Sequence, residues 1–345
     1  MKDLLAWHRE RFGLMQDEDA VKLIFQAMQG CGHLLGPEEA VEMRIIDEEA
    51  VLLPDPKEPL FDPLGKAYVR LNLRRAMAEG IAPRHIARMM KITCDRLTPA
   101  SREDVVRAVA ALKEPGLASA AQRLLDEPQW LPSHSQQYHA AYSPAYRVVS
   151  SALTPLLPLL CACGKLDSQR LSVICIDGPC GSGKSTLAAL LQRITGAALV
   201  SMDDFFLPHG RKTPDRLAQP GGNADWERVI HEVLEPAAAA GRIEYRPYNC
   251  HTDRYDPPVV LKPKRLLILE GSYSLLPQIS RFADLRVFLT VDEASQLERI
   301  RNRDGDDYLP VFQSRWIPLE RAYHAAYGLP DKDCLVVDTS CVQAM

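Results

Sequence analysis

The sequence predicts an α/β fold, a parallel sheet covered by helices, preceded by an all-α N-terminal domain. Three observations carry this. The apolar run Val173 to Ile176 opens onto Gly178-Pro179-Cys180-Gly181-Ser182-Gly183-Lys184-Ser185-Thr186, which satisfies G-x-x-x-x-G-K-[ST] at every fixed position, and Leu187 to Leu191 continue it as a helix. Downstream, short apolar runs alternate with helical patterns, as βαβ units do. Upstream, apolar residues recur at helical spacing.

At 345 residues the chain exceeds one ordinary core and suits two domains. The character changes between Ser150 and Lys165, so a helical domain is expected over 1–165 and a sheet domain over 166–345. Hydrophobic residues at 46% and charged residues at 25% exclude a disordered chain. A net charge of −4 gives no global pull towards nucleic acid, so any anion site has to be local. Nine cysteines without a disulfide-like spacing point to a reducing compartment, and MKDLLAWHRERF lacks the apolar core of a signal peptide; the expected location is cytoplasmic. The longest apolar run, Val148 to Cys163, is interrupted by Ser150, Ser151, Thr154, Pro155 and Pro158 and falls short of the ~18 to 20 residues of a spanning helix, so no membrane partner is expected. Oligomeric state is left open, a homo-oligomer included.

In chain order, Val21, Ile24, Phe25 and Met28 share one helix face, and Gly30 ends that helix. Pro37 with Glu38 and Glu39 starts the next, placing acids against the positive end of the helix dipole. Further helices are predicted from Pro83 (stripe Ile86, Met89, Met90) and from Ser101, an N-cap with Asp104 three residues on. Lys66 to Arg75 is ambiguous, because Val69, Leu71 and Leu73 alternate like a strand in a helical neighbourhood. Cys31, His33 and His134 could form a metal or nucleophile site; Tyr138, His139, Tyr142, Tyr146 and Arg147 could form an interaction surface; plain packing accounts for both groups as well. In the second half, strands are predicted at Val173–Ile176, Ala198–Ser201, Leu266–Leu269, Leu285–Val291 and Leu335–Val337, with helices from Asp225 and Asp292.

Chemistry belongs at the carboxyl ends of such strands. The glycine-rich loop brings backbone amides to phosphate oxygens, the following helix aims its positive end at them, Lys184 adds a charge and Ser185 offers a hydroxyl to Mg²⁺. Asp203 and Asp204 follow the second strand and Glu270 the third. A carboxylate there can accept a proton from an attacking hydroxyl or orient water on Mg²⁺, though an aspartate in such a loop can also simply cap a turn. Arg299, Arg301 and Arg303 lie near the end of the helix opening at Asp292, as a solvated face or as a lid over transferring phosphates.

From Leu171 to Thr339 the chain resembles the P-loop kinases of the uridine kinase, phosphoribulokinase and pantothenate kinase superfamily. The matching pieces are GPCGSGKST, SMDDFF, GGNADWERV, RPYNCHTDRYDPP, LILEGSYSLL, RIRNRD and SRWIPLERAYHAAYG. The resemblance implies a P-loop NTPase fold with ATP and Mg²⁺, and a phosphoryl group passed to a hydroxyl of a small-molecule acceptor, a nucleoside such as uridine first of all. It makes residues 178–186 the nucleotide loop, Lys184 the phosphate clamp, Ser185 and Glu270 the metal residues, Asp203 the base, and Arg301 and Arg303 the lid arginines, with Arg299 a third. Asp204, Phe205, Asp225, Trp226, Tyr248 and Asn249 fall on acceptor-pocket segments, and the loop near Thr339 to Cys341 on the adenine contact. Two departures bear on the acceptor: His251 lies closer to Tyr248 than in uridine kinases, and the loop from Pro208 to Gly222 carries His209, Arg211, Lys212 and Arg216, more positive charge than a neutral nucleoside needs. A carboxylated or phosphorylated acceptor, an ATP-binding regulator and an ATP-hydrolysing motor are the alternatives.

Overall fold

The structure, a computed structural model, describes residues 1–239, 241–263 and 265–340, with the side chain of His33 outside that description. The chain forms two compact units, Met1–Thr154 and Pro155–Met345. The helix Leu157–Gly164 falls in the second unit, where the Arg265 guanidinium donates to the Cys163 carbonyl at its end.

The first unit is built mainly of helices with the predicted boundaries. Asp17–Gln29 ends at Gly30 with φ +65°, Glu38–Glu49 follows Pro37, and Pro83–Arg96 starts on its proline. Ser101 and Asp104 exchange bonds as a capping box. The all-α expectation is corrected by a three-stranded antiparallel sheet: β1 (Phe61–Leu64), β2 (Tyr68–Asn72) and β3 (Tyr146–Ser150). Residues 68–71 are all buried, and Asn72 ends the strand by capping the next helix through the Arg75 amide. The ambiguous segment is therefore a strand that turns directly into a helix. Its pairing with β3 is long-range, which no local periodicity reveals.

Of the tyrosine- and histidine-rich cluster, Tyr138 packs inward with His134; Tyr142, Tyr146 and Arg147 are half-buried, and His139 is exposed. Asp19, fully buried, accepts from the Gln16 and Ser135 amides and the Ser135 hydroxyl, and lies 3.0 Å from His134 Nδ1. Burial works against its ionisation, but these bonds hold its carboxyl below the ordinary value. His134 Nε2 is 2.7 Å from the Tyr146 hydroxyl, and its ring stacks on Tyr138 at 4.3 Å. Cys31 Sγ sits 3.3 Å from Cys94 Sγ instead. Cys31 and His134 thus have separate partners and form no joint site.

In the second unit the five strands predicted from sequence form one parallel sheet. In chain order the strands are β4 (Ser172–Asp177), β5 (Ala198–Ser201), β6 (Ile243–Tyr245), β7 (Tyr248–Asn249), β8 (Arg254–Tyr255), β9 (Val259–Leu261), β10 (Leu266–Glu270), β11 (Leu285–Thr290) and β12 (Leu335–Asp338). The sheet order is β12-β11-β4-β10-β5, while β6 pairs with β9 and β7 with β8 in two antiparallel ribbons. Every residue of β4 and β10 is buried, as central strands covered on both faces require. The chain runs from β4 outward to β5, returns to β10, and then crosses to β11 on the other side of β4. A crevice opens at such a reversal, at the carboxyl end of β4. The helix expected from Asp225 is continuous in outline, Trp226–Arg228, Val229–Leu234 and Glu235–Ala238, with a π-helical middle. No described helix is long and apolar enough to cross a membrane.

Two histidines, His8 buried and His324 half-buried, make stability depend on pH. Burial lowers His8 in the first unit and His324 in the second to about 4, so each stays neutral in the folded chain. The unfolded chain takes up these protons from about pH 6.5, so the stability is complete above that pH and is lost as pH falls towards about 4. Melting followed by circular dichroism should show Tm falling steadily across this window; a flat Tm down to about pH 4 would contradict it.

Candidate active site

The phosphate loop is pinned before any ligand arrives. Asp177 ends β4 fully buried; its carboxylate accepts from the Gly178 amide at 2.7 Å, the Leu275 amide at 3.0 Å and the Tyr323 hydroxyl at 2.8 Å. Burial still pushes it up to about 6. Gly178 has φ +141°, and a Cβ there would lie 2.5 Å from the Leu289 carbonyl of β11, so only glycine lets the loop leave the sheet this tightly. The loop carbonyls are held from outside: Cys180 by the Gln296 amide (2.8 Å), Gly181 by Arg299 (3.3 Å) and Ser182 by the Thr339 hydroxyl (2.9 Å). Glu320 accepts from the Cys180 amide at 2.8 Å and from the Ser272 hydroxyl at 2.6 Å.

Residues 180–186 line a cavity of about 1460 Å³. Lys184, buried to 9% exposure, rests with Nζ on the Gly178 (2.7 Å) and Pro179 (3.0 Å) carbonyls, bonds that a phosphate can replace. The Ser182 hydroxyl is buried without a partner. A fully buried hydroxyl left unpaired in a loop of this type fits an absent acceptor of its hydrogen bond.

Glu270, at the end of β10, accepts from the Ser185 (3.1 Å) and Ser201 (2.8 Å) hydroxyls. Burial raises its pKa, and the charge of Asp203 adds to the rise. Ser185 and Glu270 offer hard oxygen donors, the chemistry Mg²⁺ takes. No group of three or more His, Cys, Asp or Glu able to hold a metal occurs among the described residues.

The predicted site residues divide. Asp203, on the short turn Met202–Phe205, lines the cavity, and Glu270 and Arg303 do so as well. Arg301 does not: it pairs with Asp306 at 2.9 Å on the exposed side. At ~100° per residue, Arg299 and Arg303 share a face and Arg301 lies about 200° from Arg299. Arg299, the less certain residue in sequence, is the one on the loop, bonded to Gly181 and Thr339.

The acceptor residues are corrected further. Phe205 packs into the core and Phe206 faces the cavity. Asp204 accepts from the Tyr245 hydroxyl at 3.1 Å. Asp225 is fully buried and receives Arg211, while the Trp226 ring lies under the Arg216 guanidinium at 5.3 Å. Tyr248 donates to Asp253, and Asn249 Oδ1 accepts from the His251 and Thr252 amides, capping a turn that presents Cys250 to the cavity. None of these six lines the cavity; they build its walls from behind. Thr339 lines it, whereas Cys341 lies outside the described residues.

Sequence reasoning missed Asp177, Glu320, Tyr273 and Arg315. The last three line the cavity. Asp177, directly before the first glycine of the loop, had a positional signal; Glu320 and Arg315 lie in a helical segment whose approach to the loop is a tertiary fact.

No protein-family model matches the chain, and no curated protein does. Solved structures do. A candidate fructose transport system kinase from Silicibacter sp. TM1040 is 24% identical at a TM-score of 0.41, over 49% of this chain and 94% of its own. A candidate uridine kinase from Bacillus stearothermophilus is 22% identical at 0.33, over 46% and 89%. A D-glycerate 3-kinase from Cryptococcus neoformans is 17% identical at 0.37, over 55% and 94%.

The loop geometry separates two glycines. Gly178→Ala meets both the positive φ and the Leu289 backbone, whereas Gly183→Ala, at φ +88° with nothing within 4 Å, meets only the left-handed strain of about 1–2 kcal/mol. Thermal melts should show Gly178→Ala the more destabilised by a wide margin; equal losses would refute the close approach as the constraint.

Proposed function

We propose that the second unit is an ATP-dependent kinase that transfers the γ-phosphoryl group to a hydroxyl of a small metabolite. The observation that carries this is the size and lining of one cavity. Pockets for a single small ligand span about 300–1,000 Å³. This cavity, about 1460 Å³, exceeds that, and its lining joins the phosphate loop and Asp203 to Phe206, His209, Lys212 and residues 217–223. An ATPase needs no room for a second substrate.

In this reading the loop and Lys184 hold the triphosphate, Arg299 keeps the loop in register, and Arg303 adds charge on the lid side. Ser185 and Glu270 would hold Mg²⁺, which when bound neutralises phosphate oxygens. Asp203 accepts the acceptor hydroxyl's proton as that oxygen attacks the γ-phosphorus and the bridging oxygen leaves with ADP. Positioning and charge neutralisation supply most of the rate in such a loose transition state. The cysteine usage of the chain suits a cytoplasmic reaction. The sequence resemblance favours a nucleoside as acceptor; the charge on the cavity wall favours an anionic one.

The test is ADP formation with and without candidate acceptors. Lys184→Ala should abolish it, and Asp203→Asn should lower acceptor-dependent turnover by about 10²–10⁴-fold while ATP binding is kept. An Asp203→Asn variant with full activity would remove it as the base. ADP release independent of every acceptor would favour an ATPase, and ATP binding with negligible turnover would favour a nucleotide-switched regulator.

A further inference from the structure

The basic loop from Pro208 to Gly222 spends most of its charge on its own structure. Arg211 pairs with the buried Asp225. Arg216 pairs with Glu227 at 2.7 Å and also donates to the Gly222 (3.0 Å) and Ala224 (2.9 Å) carbonyls. His209 lies 3.6 Å from Asp253. These anchors fix the loop on both sides of Lys212, and the Thr213 hydroxyl caps the short helix that follows.

Lys212 is the exception. Lys212 lines the cavity, and its side chain forms no ion pair or hydrogen bond among the described residues. The acids on the cavity wall are Asp203, Glu270 and Glu320. Glu270 is engaged by two serine hydroxyls, and Glu320 by Ser272 and the Cys180 amide. Asp203 and Lys212 both act on the thiol of Cys250, an exposed residue on the cavity wall: desolvation raises it, Lys212 draws it back down and Asp203 raises it further. The proposed base and this lysine line the same cavity.

Resting on the kinase reading above, we propose that Lys212 is the anchor for a negatively charged group on the acceptor, and that the acceptor is a small hydroxylated acid, a carboxylate or a phosphate ester. Its anionic group pairs with Lys212 while its hydroxyl meets Asp203. A neutral polyol or nucleoside gains nothing from this cation and leaves its charge uncompensated beside the bound substrate. Lys212 touches substrate but takes no part in bond making, so it governs which acceptor binds, and not how fast the bound one reacts.

The experiment compares matched acceptors in ATP-dependent ADP formation: D-glycerate with glycerol, D-gluconate with sorbitol, pantothenate with panthenol, sn-glycerol 3-phosphate for the phosphate arm, and uridine as the neutral nucleoside. At least one acid should support turnover that its neutral counterpart does not; the carboxylate and phosphate arms then identify the group. For that acid, Lys212→Met should raise KM by about 10- to 100-fold, the loss expected for a charge-assisted bond, with KM for ATP unchanged, and Lys212→Arg should restore most of it. Neutral acceptors used as well as acids, or a Lys212→Met variant with unchanged KM, would overturn the assignment and leave the kinase standing. Absence of acceptor-dependent ADP formation from every member would overturn the kinase reading and this assignment with it.

Discussion

Everything at the nucleotide end depends on one buried carboxylate. Asp177 sits where the central strand ends and the phosphate loop begins, and burying an ionisable group there costs several kcal/mol unless it is well bonded. Its three hydrogen bonds tie the loop's first amide, the segment after β10 and the helix Ile317–Tyr327 to one point. Because the partners come from three separate elements, the loop can take this shape only once the sheet and that helix are assembled. Gly178 then leaves the strand against β11, and Gln296, Arg299 and Thr339 hold the loop carbonyls from the far side.

What could be read from the sequence was local, and what could not was tertiary. The phosphate loop, the five parallel strands and the helix caps at Gly30, Pro83 and Ser101 all rest on neighbours within a few residues, where turn chemistry and periodicity act directly. In the small sheet of the first unit β1 and β2 form a local hairpin, but β2 also pairs with β3 about eighty positions away, Val69 with Val149, so the strand-like alternation around Val69 did not by itself settle the segment. Asp225 and Arg301 illustrate a second limit. A motif tells which residue types belong to a region but not which of two adjacent side chains turns inward: helical phase selects Arg299 and Arg303 over Arg301, and where the turn Met202–Phe205 ends, Phe205 goes to the core and Phe206 to the cavity.

The two ends of the cavity are built on different principles. At the phosphate end almost every polar group already has a protein partner, with Lys184 resting on carbonyls and Glu270 on hydroxyls, so ligand binding exchanges one set of bonds for another at little cost in reorganisation. In the loop that the kinase reading gives to the acceptor, the arginines are locked into scaffolding while Lys212 forms no ion pair among the described residues. Rigid geometry for a common nucleotide and a sparse set of groups for a particular acceptor is a division that lets one end vary without disturbing the other.

The central claim is that phosphorus leaves ATP for a metabolite hydroxyl and not for water. Phosphorus NMR of the full chain with ATP, Mg²⁺ and the acceptor that best stimulates turnover measures this directly. One phosphate ester of the acceptor is expected for each ADP, with inorganic phosphate a minor product; ADP matched by inorganic phosphate alone would rule out transfer to the acceptor.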